Sequence, residues 1–152
     1  MPSRTYDFSF DCPLPANQVF DALSDFSDRR VTYFPNLSRS TYLVIERGKT
    51  SALVREGTGP FRTQERYDWS TPGRIWSVVT ESTVLAPGSR TDIRIEPLGQ
   101  RNCRLSFHIE RHFIGRLGNI IYAFVLLNGG KRFFRHMYIR ALKNIRKAGR
   151  RR

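Results

Sequence analysis

Apolar and polar residues alternate from the start of the chain. Over residues 4–10, Tyr6, Phe8 and Phe10 fall on one side and Thr5, Asp7 and Ser9 on the other, the two-residue period of a half-buried strand. Pro13 and Pro15 end that strand. Pro15 opens a short helix whose apolar face is Val19, Phe20 and Leu23, with Ala16 and Ala22 beside them. Ser27 or Asp28 caps a second short helix carrying Val31, Tyr33 and Phe34. Pro35 stops it, because the residue before a proline is driven out of the helical region. From residue 40 to residue 113 the helical period is absent. Strand-like stretches at 41–47, 51–57, 61–70, 75–85, 90–97 and 103–113 are separated by turn signals such as Gly48-Lys49, Thr71-Pro72-Gly73 and Ala86-Pro87-Gly88. Connections this short make consecutive strands antiparallel. Alternation is cleanest in the last two. Ile93 and Ile95 oppose Asp92, Arg94 and Glu96; Leu105, Phe107 and Ile109 oppose Arg104, Ser106, His108 and Glu110. These strands have one wet and one dry face.

The remaining segment has a 3.6-residue period. Ile120, Phe124, Leu127, Phe134, Tyr138, Ala141, Leu142 and Ile145 fall on one stripe of a helix predicted over 115–148. At 1.5 Å per residue it is roughly 45–50 Å long, with a bend at Gly129-Gly130. Tyr122, Val125 and Leu126 lie off that stripe, so the turns over 120–127 are apolar nearly all round. Their cover must come from residues 27–34, a second subunit or a membrane surface. Residues 149–152 read as a frayed basic tail. The predicted architecture is α+β: seven antiparallel strands curled around a long C-terminal helix, with two short helices after the first strand. Residues 1–148 form one domain.

Composition narrows the class. A chain of 152 residues is long enough to bury close to 70% of its unfolded surface. Eleven Phe, six Tyr and two Trp exclude a disordered chain. No signal peptide is evident, and the longest apolar run, 120–127, is far short of the ~20 residues that cross a bilayer. Cys12 and Cys103 are isolated, with no zinc spacing, and read as free thiols of a cytoplasmic protein. Antiparallel pairing of the first and last strands would bring them near each other.

Charge adds a second feature. Residues 111–152 hold twelve Lys and Arg and no Asp or Glu, whereas residues 1–110 hold fourteen basic and thirteen acidic residues. Nearly all of the net +13 therefore sits at one end. Arg132, Arg135, Lys143, Arg146, Lys147 and Arg150 make a basic face suited to an anionic surface. No zinc finger, helix-turn-helix or aromatic stacking motif accompanies it. It would follow the phosphates of RNA or ribosome without reading sequence, and anionic lipid headgroups are an equal target, placing the protein at the membrane periphery.

The segment Pro15-Ala16-Asn17-Gln18-Val19-Phe20-Asp21-Ala22-Leu23-Ser24-Asp25-Phe26 resembles the opening of START-like (SRPBCC, helix-grip) proteins. Phe34-Pro35 is similar to the end of their second helix. Phe113-Ile114-Gly115-Arg116-Leu117, Arg132-Phe133-Phe134 and Leu142-Lys143-Asn144-Ile145 resemble the entry and body of their last helix. Within the superfamily, the chain is most similar to the polyketide cyclase/dehydrase and lipid-transport group, which includes coenzyme Q-binding proteins. The resemblance implies a hydrophobic-ligand cavity between sheet and helix. It implies no cofactor and supplies no catalytic residue.

Tyr67, Trp69 and Trp76 flank the turn at 71–73 and suit a cavity wall, with Phe107, Phe124 and Leu127 as further apolar lining. Lys131, near the apolar stripe, is placed to close over an acidic ligand group. Glu65 shares a face with Tyr67 and Trp69; facing inward, it would be a carboxyl with a raised pKa and an acid–base candidate. His108, Glu110 and His112 share one side of a strand, but Arg104 and Ser106 share it too, which marks a solvated face and not a metal site. Three readings stand. One is a carrier of a lipid, isoprenoid, quinone or polyketide. The second is an aromatase/cyclase or dehydratase on the same cavity. The third is a basic docking protein for RNA, ribosome or membrane.

Overall fold

Seven antiparallel strands pair side by side, residues 3–12 next to 103–112, then 90–97, 74–82, 61–68, 51–58 and 43–47. The computed structural model describes residues 2–151; Met1 and Arg152 lie outside the described residues, and with them the ends of the expected domain and tail. In chain order the elements are β1 (Ser3–Cys12), α1 (Ala16–Leu23), α2 (Arg30–Tyr33), β2 (Leu43–Arg47), β3 (Ser51–Thr58), β4 (Phe61–Asp68), β5 (Arg74–Ser82), β6 (Arg90–Pro97), β7 (Cys103–His112), α3 (Gly115–Leu127) and α4 (Lys131–Arg150). The sheet curves, α4 crosses its concave face and α1 and α2 close one end. This is the helix-grip fold the patterning predicts.

The strand edges follow the turn residues closely. Pro15 stands at the N-cap of α1. The second helix begins later than its polar residues suggest: Arg29, not Ser27 or Asp28, is the N-cap, and the Ser27 carbonyl accepts the Arg30 amide at 3.1 Å. In β1 and β7 the register is direct, with Tyr6 opposite Ile109, Phe8 opposite Phe107 and Cys12 opposite Cys103. The two thiols thus face each other, buried and free. Phe8 stacks on Phe107 at 4.7 Å, and Phe107 lies 4.4 Å from Tyr138 of α4. Phe134, Tyr138, Ala141, Leu142 and Ile145 of α4 are all buried against the sheet.

The predicted single long helix is two helices. Gly129 and Gly130 have positive φ, 89° and 62°. The Gly130 amide donates to the Val125 carbonyl at 2.9 Å and the Gly129 amide to the Leu126 carbonyl at 3.1 Å. That pair of bonds is a Schellman motif, which ends a helix and does not bend it. At 1.5 Å per residue the 20 residues of α4 span about 30 Å. The helix also runs through Gly149 to Arg150, where a frayed tail was expected.

The break resets the phase of the apolar stripe. Val125 of α3 is buried, while Ile121, Tyr122 and Leu117 pack against Val84, Leu85 and Phe113. Ile120, Phe124 and Leu127, which an unbroken helix would aim at the sheet, point outward.

Candidate ligand-binding site

Polar side chains interrupt the dry face of the sheet in a diagonal band. Glu56, Glu65, Ser77, Thr91 and Arg111 come from five successive strands, β3 to β7. Each occupies the parity of core residues on its own strand: Glu56 with Ala52 and Val54, Ser77 with Ile75 and Val79, Thr91 with Ile93 and Ile95, and Arg111 with Ile109 and Phe113. Ser77 lies directly opposite Thr91. The register slips between Gln64 and Glu65, a bulge that re-aims Glu65 at the start of the inward run of β4.

Above this band is a cavity of about 110 Å³, closed by Leu23 of α1, Arg30 and Phe34 of α2 and Met137 and Tyr138 of α4. Arg30 is only 4% exposed. Its Nε donates to Glu56 Oε1 at 2.5 Å and its Nη1 to the Leu23 carbonyl at 3.1 Å. Its guanidinium also lies over the rings of Phe26, Phe34 and Tyr67, at 4.2, 4.8 and 5.1 Å. The Tyr67 hydroxyl donates to Glu56 Oε2 at 2.8 Å. Glu56 therefore has both oxygens engaged and a paired charge, as a buried ion must.

Glu65 is different. Its one hydrogen-bond donor among the described residues is Ser77 Oγ, at 2.6 Å. It is half-buried, and its remaining surface faces the cavity. Burial pushes its carboxyl above the ordinary value, and the nearby positive charge of Arg111 only partly offsets this. Arg111 itself is held by the carbonyls of Arg90 and Glu110, at 2.9 and 3.0 Å, and by Thr91 Oγ1 at 2.9 Å. Burial also pushes the Tyr138 hydroxyl up to about 12, and no described residue hydrogen-bonds it. The cavity thus presents a carboxyl that holds its proton more tightly than usual, a neutral phenol and a fixed cation, beside the paired Arg30 and Glu56, the hydroxyls of Ser77 and Thr91 and the apolar side chains of Leu23, Ile75, Ile93 and Met137.

Of the residues expected to line a pocket, Tyr67 does so. Trp76 borders the cavity from β5, but its position alternates with Ile75 and Ser77 and pairs with Asp92 on the outer face. Trp69 stacks on Phe26 at 5.3 Å, outside the cavity. Phe107 lies beneath Tyr138. Phe124, Leu127 and Lys131 are exposed and do not line it, displaced by the break before α4. Arg132, Arg135, Lys143, Arg146, Lys147 and Arg150 are all exposed on α4. His108 stands on the outer face between Asp7 and Glu110, at 2.6 and 3.1 Å, and His112 meets Ser3 Oγ at 2.8 Å. Among the described residues no cluster of His, Cys, Asp or Glu is arranged to hold a metal. Sequence reasoning missed Arg30, Glu56, Ser77, Thr91 and Arg111. For the last four, the signal was a polar residue at core parity; for Arg30, one basic residue among several in a turn, there was none.

The sequence matches a known family, and the fold agrees with solved structures. Residues 4–149 match the family described as polyketide cyclase / dehydrase and lipid transport, and the chain belongs to it. Solved structures agree in fold. A Streptomyces aromatase/cyclase, Zhui, superposes with a TM-score of 0.74 at 15% identity, covering 96% of this chain and 95% of that one. A START superfamily protein from Mycobacterium smegmatis gives 0.63 at 11% identity, covering 88% and 96%. Norcoclaurine synthase from Thalictrum flavum, in complex with dopamine and hydroxybenzaldehyde, gives 0.67 at 12% identity, covering 96% and 88%. Among curated proteins none matches in sequence.

Proposed function

We infer that this chain binds a compact hydrophobic molecule with at least one polar end, held between the sheet and α4. The observation that carries this reading is the cavity itself: apolar side chains of Leu23, Phe34, Ile75, Ile93 and Met137 stand beside a polar band in which Glu65, Arg111 and Tyr138 converge, and no described residue hydrogen-bonds Tyr138. Ligand sites set a few fixed polar groups against apolar side chains in this way. The volume also bears on the ligand. An apolar cavity of about 150 Å³ holds a benzene-sized ring, so about 110 Å³ admits at most one ring and no long isoprenoid tail. A single-ring aryl ketone should bind at one site in a calorimetric titration and be displaced by single-ring phenols more readily than by long fatty acids. Leu37→Trp, which fills the cavity from its half-buried rim, should abolish that binding. Binding unchanged by Leu37→Trp would sink the reading.

Glu65 favours a second reading, acid–base catalysis on the bound molecule. In its ionised form Glu65, a stronger base for its raised pKa, can take a proton from carbon next to a ketone and become the neutral acid, while the Tyr138 phenol donates a hydrogen bond to the enolate oxygen. This is the elementary step of ring closure and dehydration in polyketones. Wild-type protein should accelerate hydrogen–deuterium exchange at the α-carbon of a bound aryl ketone, followed by NMR. Glu65→Gln should keep the binding and lose the exchange. Equal exchange in both proteins leaves the site a binding site without catalysis.

A further inference from the structure

The outer surface of α3 has its polarity reversed. Ile120, Phe124 and Leu127 fall three and four residues apart on one stripe and are 56%, 50% and 87% exposed, with Leu126 beside them at 48%. A stripe with this period normally faces a core. Here the Schellman turn directs it to solvent. Cations surround it: Arg116 on the first turn of α3, and Lys131 and Arg132 directly after the two glycines. The patch continues into a groove along α4 lined by Phe124, Phe133, Arg132, Arg135 and Arg140. No acidic residue lines the groove or occurs anywhere after Glu110.

We propose that this face docks on an anionic lipid bilayer, with Phe124 and Leu127 entering the interface and Arg116, Lys131, Arg132 and Arg135 meeting headgroup phosphates. Two features together select this occupant. Aliphatic side chains raised above a ring of cations suit an apolar layer capped by negative charge. A nucleic acid would use the cations but would leave Ile120, Leu126 and Leu127 in water. A second copy of the chain would bring the same cations against each other. Asn36 and Met137 line both the groove and the inner cavity. A bilayer seated here therefore covers the cavity's entrance and gives an apolar ligand a path that avoids water. This last step rests on the ligand-binding reading; the docking surface does not.

The test is co-sedimentation of the full chain with phosphatidylcholine vesicles, with and without about 30% phosphatidylglycerol. Wild-type protein should bind the anionic vesicles and lose most of that binding between about 50 and 500 mM salt. Phe124→Asp/Leu127→Asp, whose positions are exposed, should weaken binding about tenfold or more while keeping the far-ultraviolet spectrum of the parent. Arg132→Glu/Arg135→Glu should weaken it similarly. Leu127→Trp should show a blue-shifted emission on anionic vesicles alone. No binding at low salt would overturn the proposal. So would binding unaffected by Phe124→Asp/Leu127→Asp, because charge alone would then explain it. Preference for single-stranded RNA over vesicles, indifferent to the same substitution, would assign the face to nucleic acid instead. Calorimetric titration with an uncharged single-ring aryl ketone reads the inner cavity separately, so either result can fail without the other.

Discussion

Glu65 and Glu56 share one cavity, yet only one carries free chemistry. Glu56 is enclosed by Arg30 and Tyr67, so its charge is matched and both oxygens are engaged. Glu65 has one serine hydroxyl and a cation that it does not touch. Its folded-state pKa lies above the ordinary 4.5, because the ionised form loses water on burial. The sign of the stability effect follows. Below the unfolded pKa both states are protonated and Glu65 costs nothing. As pH rises through the folded pKa, the unfolded state ionises more readily and the fold loses stability. Glu65→Gln removes that loss while keeping the side chain's shape and an acceptor for Ser77. Its melting temperature should equal the wild type's near pH 4 and exceed it increasingly toward pH 8, as thermal scans across that range would show. A constant difference across the range would mean that Glu65 does not titrate with the fold. This group was legible in the sequence as an inward carboxyl candidate beside Tyr67. Arg30 was not, since nothing local distinguishes it from Arg29. Its burial depends on Glu56 of β3 meeting Phe26 and Phe34, from the segments before and after α2, around it.

At the scale of elements, the strands were legible because parity and turn residues reinforce each other, and β6 came out with its expected ends. The helices were less so. The period of α4 is long enough to extrapolate backward, and carrying it through Gly129-Gly130 placed Phe124, Leu127 and Lys131 at the cavity. A glycine pair marks a break, but sequence alone leaves open whether it bends a helix or ends it. The end here depends on positive φ at both glycines, and Gly130, at φ 62° and ψ −108°, lies outside even the left-handed helical region, in backbone space that costs other L-residues about 1–3 kcal/mol. At Gly130 an added Cβ would meet only Tyr6 Cε1, at 3.5 Å, an ordinary contact. The cost of Gly130→Ala is therefore conformational and not steric. We expect Gly130→Ala to lower stability by about 1–3 kcal/mol, read from the urea midpoint, with α3 keeping its exposed stripe. A gain in stability would mean that residues 115–150 prefer a continuous helix. The phase of Ile120, Phe124 and Leu127 would then return to the sheet.

For the whole molecule, the question is which charges govern stability. On the outer face of the sheet, opposite charges are paired: Arg74 with Asp92 at 2.7 Å, Arg104 with Asp11 at 2.8 Å and Arg90 with Glu110 at 3.0 Å. Exposed pairs of this kind are each worth about 0–1 kcal/mol. On α4 the situation is the reverse. Lys143, Arg146, Lys147 and Arg150 stand three and four residues apart, all exposed, and none forms a salt bridge among the described residues. Like charges at that spacing each cost roughly 0.2–0.5 kcal/mol, and the net +13 of the chain adds repulsion over longer distances. Salt weakens both kinds of interaction, but the short sheet pairs lose less than charges a Debye length of about 8–10 Å apart. Relief of repulsion should therefore win. The melting temperature should rise as sodium chloride increases from about 20 to 500 mM. Lys147→Glu, which places an acid four residues from Lys143 and three from Arg150, should raise it at low salt and flatten the salt dependence. If salt lowers the melting temperature instead, the sheet pairs outweigh the helix. The basic face would then cost the fold nothing in water, and stability would give no reason to expect that face to be covered by an anionic partner.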